Sequence, residues 1–290
     1  PQTYSVITNI DKEHLDFYKS MDNLENKFIS FIEKTPSFGK AFICVDDKNN
    51  RKILKKIKNN NYYSYGTKKG SNFQILNISQ NVKFSKFDLK IELPGISKKL
   101  IKNIKVPTIG MHNVRNAAAS VAVSSSVGIS ENIIKRALSE FEGVQRRFTK
   151  VFTYNNVSFY DDYAHHPTEI KEVMNGISEV YKKKKIICIF QPHRISRLRA
   201  LRKEFSYAFS KANTVVLCPI YKAGESIKLG FKYINFAKEI IKNSKVKIIL
   251  IKNEIDLAKF TKQNIYGDQL VVSMGAGSVS SWIRNLPKLL

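Results

Sequence analysis

Tyr160-Asp161-Asp162-Tyr163-Ala164-His165-His166-Pro167-Thr168-Glu169 joins an apolar run at 157–160 to a segment of helical periodicity near 167–181. Pro167 suits the first helical position, where no backbone N–H is needed, and Glu169 suits the positive end of the helix dipole. Two carboxylates and two imidazoles therefore fall where a strand hands over to a helix. Helix initiation accounts for Pro167 and Glu169. Asp162, Tyr163 and His165 are different, because gathering titratable groups is costly unless a ligand or metal satisfies them.

Outward from this junction the rhythm is strand then helix. Strands are predicted at 150–154, 157–160, 185–190, 214–218, 247–251 and 269–273, with helices near 167–181, 197–211, 231–242, 255–262 and 279–285. Repeated units of this kind imply a mostly parallel sheet covered on both faces. Upstream, a strand at 4–8 precedes a helix carrying Leu24, Phe28, Phe31 and Ile32, and Pro36 to Gly39 ends it. A strand at 41–45, a basic helix near 49–58 and a β-rich stretch at 62–93 follow. Gly110 then introduces a helix of small residues at 113–127, and Ser130 opens another as N-cap. The fold class is α/β. The 290 residues suffice for two domains, placed at 1–147 and 148–290.

The net charge of +25 raises a nucleic-acid-binding protein as the alternative from a different class. Only 10 of the 49 basic residues are Arg, and the lysines are scattered among Asn and Ile rather than set in stripes flanked by aromatics. Diffuse lysine on solvated faces explains the charge, so no nucleic-acid partner is expected. No apolar run is long enough to span a membrane. Cys44, Cys188 and Cys218 lie in apolar runs without metal spacing, which points to buried thiols in a reducing compartment, the cytoplasm. Pro1 follows no initiator Met and opens no signal peptide, so the chain is expected to begin partway through a domain.

Against this lysine background the rarer residues cluster. Six Arg fall at 146–147 and 194–202, and all five His lie in motif-like segments. His14 follows the first strand among carboxylates, a loop able to hold a divalent cation or merely to cap a helix. His112, Asn113 and Asn116 open the small-residue helix, where Asn offers the donor and acceptor a purine edge needs. Simple helix capping explains them equally. In Gln191-Pro192-His193-Arg194-Ile195-Ser196-Arg197, Arg194 and Arg197 are predicted on one face of a helical first turn, two forks able to clamp a carboxylate or phosphate. Arg199 and Arg202 read as solvent-facing or ion-paired. Gly275-Ala276-Gly277 reads as a tight turn, with dinucleotide binding a weak outsider.

Taken in this order and spacing, TNIDKEHLDFY, GMHNVRNAAAS, GVQRRF, YDDYAHHPTE, FQPHRISR and VSMGAGSVSS resemble the Mur ligases across essentially the whole chain. The pairing of DDYAHHPTE with QPHR resembles the alanine-adding member more than the peptide-recycling relative that attaches whole peptides. The resemblance implies the C-terminal part of a P-loop-type Mur ligase central domain, followed by a Rossmann-like α/β domain. It implies that ATP and Mg²⁺ are used to join L-alanine to UDP-N-acetylmuramate through an acyl phosphate in peptidoglycan synthesis. By the same resemblance His14 matches a magnesium ligand, and His112, Asn113 and Asn116 match the adenine side. Arg147 and Asp162 match nucleotide contacts. Tyr163, His165, Arg194 and Arg197 match positions around the reacting muramoyl group and the incoming alanine.

One departure is large. No G-x-x-x-x-G-K-[ST] occurs; Gly66-Thr67-Lys68-Lys69-Gly70-Ser71 has Lys and Gly in the wrong order. The phosphate cradle, the second metal-ligating acid and the uridine-binding domain are therefore expected upstream of Pro1, and these residues alone are expected to show negligible ligase activity. Oligomeric state is left open.

Overall fold

The structure is a computed structural model that describes residues 2–225 and 232–290. It divides into two compact units, Pro1–Glu142 and Gly143–Leu290.

In the first unit the elements run β1 (Tyr4–Ile7), α1 (Leu15–Tyr18), α2 (Met21–Glu33), β2 (Lys40–Cys44), α3 (Lys48–Leu54), β3 (Tyr62–Gly66), β4 (Phe73–Gln80), β5 (Ser85–Ile91), β6 (Lys99–Val106), α4 (Met111–Ser126) and α5 (Glu131–Ser139). The sheet order follows the chain, β1 to β6. The first four strands pair in parallel, and β4, β5 and β6 pair antiparallel. Strict burial alternation along β5 shows why: one face meets the core and the other meets solvent. On the core face Phe42, Tyr65, Phe73 and Phe87 pack under α4. Ala117, Ala118 and Ala122 of α4 let its backbone lie close to those large rings. The opposite face carries Leu24 and Ile32 of α2 against Ile7 and Ile43. Ser20 starts α2 by accepting the Asn23 N–H at 3.1 Å.

The second unit contains β7 (Thr149–Tyr154), β8 (Val157–Asp162), α6 (Pro167–Val180), β9 (Lys185–Phe190), α7 (Ile195–Ala200), α8 (Arg202–Tyr207), β10 (Thr214–Leu217), α9 (Tyr233–Ser244), β11 (Lys247–Leu250), α10 (Glu254–Asn264), β12 (Gln269–Met274) and α11 (Val279–Asn285). Its sheet order is β11-β10-β9-β12-β8-β7. Among the described residues only the β7–β8 pair is antiparallel. The last strand, β12, inserts between β8 and β9. This sets three carboxyl ends side by side where the strand order reverses, the place where open α/β sheets bind ligands. No helix among the described residues is long and apolar enough to cross a membrane.

The α/β class and the mostly parallel second sheet are as the sequence indicates. Two local differences matter. The strand expected at 157–160 runs on through Asp162, because Asp161 and Asp162 pair in register with Ser273 and Met274. The helix expected at 197–211 is two short helices broken at Leu201, whose φ of −118° and ψ of 24° leave the helical region. Phe231, where another helix was expected to begin, lies outside the described residues.

Candidate active site

The junction between β9 and β12 is built on glycine. Gln191, buried at the end of β9, donates its backbone N–H to Met274 O at 3.0 Å and its Nε2–H to Ser278 Oγ at 3.0 Å. Its Oε1 accepts the Val279 N–H at 2.9 Å and so occupies the start of α11. A Cβ on Gly277 would lie 2.5 Å from that Oε1 and 2.5 Å from Tyr221 Cγ; one on Gly275, where φ is +153°, would lie 2.9 Å from Gln191 O. Gly275-Ala276-Gly277 is thus a close-packing turn, with the Gln191 side chain seated at the start of α11.

The chain leaving β9 is held by the loop after β10. Tyr221 N–H donates to Pro192 O at 2.8 Å, and Arg194 N–H donates to Tyr221 O at 2.9 Å. The His193 and Tyr221 rings stack with centroids 5.5 Å apart. Arg194 takes φ +66° at the N-cap of α7, outside the helix. The expectation that Arg194 and Arg197 share a helical face is therefore corrected: extra backbone bonding at Tyr221 turns Arg194 away from helical geometry. Arg197 reaches back, its Nη1 lying 3.2 Å from His193 Nδ1 and donating to His193 O at 3.4 Å. Burial, then the Arg197 charge, push the His193 imidazole down to about 4, so it is neutral at physiological pH. Glu225 accepts the Ile195 N–H at 2.8 Å, the Ser196 N–H at 3.0 Å and the Ser196 hydroxyl at 2.5 Å. Burial alone would raise its carboxyl, but these bonds hold it below the ordinary range.

From β8, Asp162 is almost wholly buried and accepts the Phe148 N–H at 2.7 Å and the Ala164 N–H at 2.8 Å. Burial pushes its carboxyl up to about 6 despite those bonds. Tyr163 is exposed, with the Arg146 guanidinium 4.6 Å from its ring centre and that of Arg147 6.0 Å away. His165 Nδ1 lies 2.9 Å from Tyr163 O, which requires an Nδ1–H donor. Its ring meets Tyr163 at 5.1 Å and His193 at 5.6 Å. His166 is structural: its Nδ1 accepts the Thr168 N–H at 3.3 Å, and Glu169 accepts the His166 N–H at 3.2 Å, a capping box for α6. Tyr163, His165, Arg194 and Arg197 thus come together around His193. His193 was quoted in its motif but not singled out.

In the first unit His112, Asn113 and Asn116 occupy the opening turns of α4. Gly110, at φ +93°, lies so close to the His112 ring that a Cβ there would be 2.6 Å from Cε1. Gly110 N–H donates to Gln80 Oε1 at 2.8 Å, and Asn113 Nδ2–H donates to Ile109 O at 2.7 Å. Asn116 is exposed. The intervening Arg115 donates to Asp46 Oδ2 at 3.0 Å, while Thr67 N–H donates to Asp46 Oδ1 at 2.8 Å. The Gly66-Thr67 segment is therefore a seat for Asp46. His14 is exposed at the start of α1 with φ +55° and caps nothing with its side chain. Among the described residues no group of three or more His, Cys, Asp or Glu stands close enough to hold a metal. One imidazole is a poor magnesium site by itself, since that ion favours carboxylate, phosphate and water oxygens.

Two family matches cover most of the chain: residues 1–124 match the Mur ligase middle domain, and residues 146–277 match the family described as Mur ligase, glutamate ligase domain. The chain is 59% identical, over its full 290 residues, to UDP-N-acetylmuramate--L-alanine ligase of Pelagibacter ubique (strain HTCC1062), of which it covers 62%. It is 35% identical to the protein of the same name from Bartonella tribocorum (strain CIP 105476 / IBS 506), covering all of this chain and 61% of that one. The chain thus spans about three-fifths of the length of these relatives. The fold is similar to the crystal structure of UDP-N-acetylmuramate-alanine ligase MurC from Thermotoga maritima, with a TM-score of 0.74 at 24% identity, covering 99% of this chain and 59% of that one.

Proposed function

Because the chain belongs to the Mur ligase family, we propose that it supplies the amino-acid-accepting region and part of the ATP-using region of a ligase that joins L-alanine to UDP-N-acetylmuramate. The observation that carries this reading is the convergence of Tyr163, His165, His193, Arg194 and Arg197 at neighbouring strand ends of the second unit. Bound ATP supplies the phosphoryl group that activates the muramoyl carboxylate as an acyl phosphate. Arg194 and Arg197 hold the alanine carboxylate, a task for which planar forks suit better than ammonium groups. His193 stays neutral, accepts from Arg197 and so directs that fork. The Nδ1–H tautomer of His165 places a lone pair on Nε2, the atom suited to take a proton from the alanine ammonium; the neutral amine then attacks the acyl carbon and phosphate leaves as the C–O bond to it breaks. Of the two residues matched to nucleotide contacts, exposed Arg147 is proposed to reach the nucleotide, whereas Asp162, buried with both oxygens accepting backbone N–H groups, is proposed instead to fix the turn that carries Arg147.

In the first unit, His112, Asn113 and Asn116 are proposed to receive the adenine, and His14 to give one donor to Mg²⁺. Three buried free thiols accord with a cytoplasmic enzyme. The reading is tested with a polypeptide that also carries the phosphate-cradling and uridine-binding segments. ATP-dependent phosphate release should depend on L-alanine as acceptor. Release that depends instead on L-Ala-γ-D-Glu-meso-diaminopimelate would contradict the proposal.

A further inference from the structure

We infer that Asp161 is a positioning residue that acts through Arg146 to set the Tyr163 ring and the glycine turn after β12. The inference rests on the ligase reading for the ring's use, but not for the geometry. Asp161 is fully buried near the carboxyl end of β8, on the sheet face covered by α11. Its Oδ2 accepts the Ser280 hydroxyl at 2.6 Å and Arg284 Nη2–H at 3.3 Å, and lies 3.6 Å from Arg146 Nε. Arg146 then donates from Nη2 to Gly275 O at 2.5 Å and spreads its guanidinium over the Tyr163 ring. Tyr163 N–H donates to Arg146 O at 2.7 Å, so ring and guanidinium are also tied through the backbone.

Stability is a poor reason for such a carboxylate. Taking an ion out of water costs several kcal/mol, and apolar replacements of buried ion pairs are often as stable or more so. What the arrangement does supply is direction: a fixed anion behind Arg146 leaves its fork one place to lie, between Gly275 O and the Tyr163 face. The two arginines of QRRF thereby have separate tasks. Arg146, at φ +59°, turns inward, and Arg147 stays exposed.

Two measurements test this. Site-specific 3-fluorotyrosine at position 163 reports the ring by ¹⁹F NMR in the 290-residue chain. Asp161→Asn and Arg146→Lys should both move the resonance towards that of fluorotyrosine with no guanidinium over its ring, while the surface control Asp268→Asn leaves it in place. An unmoved resonance in both variants, with circular dichroism and melting like those of the wild type, overturns the inference. Should Asp161→Asn fail to fold, Arg146→Lys decides, since it keeps the charge and loses only the fork. In the ligase assay, Asp161→Asn should lower kcat/KM for the amino acid about 10-fold, and about 2-fold or less in a Tyr163→Leu background, the coupling that contacting residues show. Fully additive losses would also overturn it. If the wild type fails to use L-alanine, the functional reading falls, while the fluorine measurement still decides the geometry.

Discussion

Arg197 Nη1 lies 3.2 Å from His193 Nδ1, and the ring so addressed is already partly withdrawn from water. Both effects disfavour the imidazolium, and together they bring its titration to about 4 from an ordinary 6.5. A base depressed in the folded state contributes stability that is fully present above the ordinary value and lost as pH falls through about 4. Histidine NMR titration should find His193 neutral at pH 5. Arg197→Gln should raise its pKa towards the ordinary value. A wild-type His193 titrating near 6.5 would remove the neutral-acceptor role.

Asp162 runs the opposite way. Its carboxyl is raised to about 6 by burial, so its contribution is fully present below the ordinary 3.8 and lost as pH rises through about 6. A shift of this size corresponds to roughly 2 kcal/mol less stability at pH 7 than at pH 4 from this group. Asp162→Asn should flatten that part of the urea-midpoint profile. It should also cost about 1–3 kcal/mol at low pH, because its amide nitrogen faces a backbone N–H. An unchanged profile would show that Asp162 is solvated.

Gly277→Ala places a methyl group into Gln191 Oε1 and Tyr221. Overpacking of this kind is expected to lower stability by about 1–3 kcal/mol and to shift the loop that backs Arg194. Gly277 is not among the glycines of positive φ, so the cost there is steric rather than backbone strain. A thermal melt checks this; a Gly277→Ala melt no lower than that of the wild type would contradict the packing.

Glu225 ties the β10 loop to the start of α7, the segment between Arg194 and Arg197. Glu225→Gln should cost about 1 kcal/mol of stability, as loss of a helix cap does. In the ligase assay it should raise the KM for alanine more than it lowers kcat, because it loosens the fork without touching the reacting carbon. An unchanged KM would mean that the arginines hold their places without it.

The clearest sequence signals were those set by local chemistry. Pro167 and Glu169 marked the start of α6, and the run of small residues marked a helix lying close on its sheet. The strand–helix alternation after Phe148 implied the parallel sheet, but nothing local in residues 269–274 says that β12 inserts between β8 and β9. That placement creates the candidate site, and it is a long-range choice of the hydrophobic core. For the same reason Asp161 was hidden: Ser280 and Arg284, which bond to it, are far away in sequence, and Arg146 lies across the β7–β8 hairpin. Which of the two arginines in QRRF turns inward depends on positive φ at Arg146 and Phe148, conformations that neither side chain signals. Arg194 misled by its spacing, since an i, i+3 pair implies one face only if both residues are helical.

The most direct test of the alanine-ligase account is transfer of labelled L-alanine onto UDP-N-acetylmuramate, with Mg·ATP, by a polypeptide that carries these residues together with the phosphate-cradling and uridine-binding segments. Label should appear in the muramoyl product in step with phosphate release, and Arg194→Ala should abolish both. Phosphate release with no alanine incorporated, or undiminished transfer by Arg194→Ala, would contradict it.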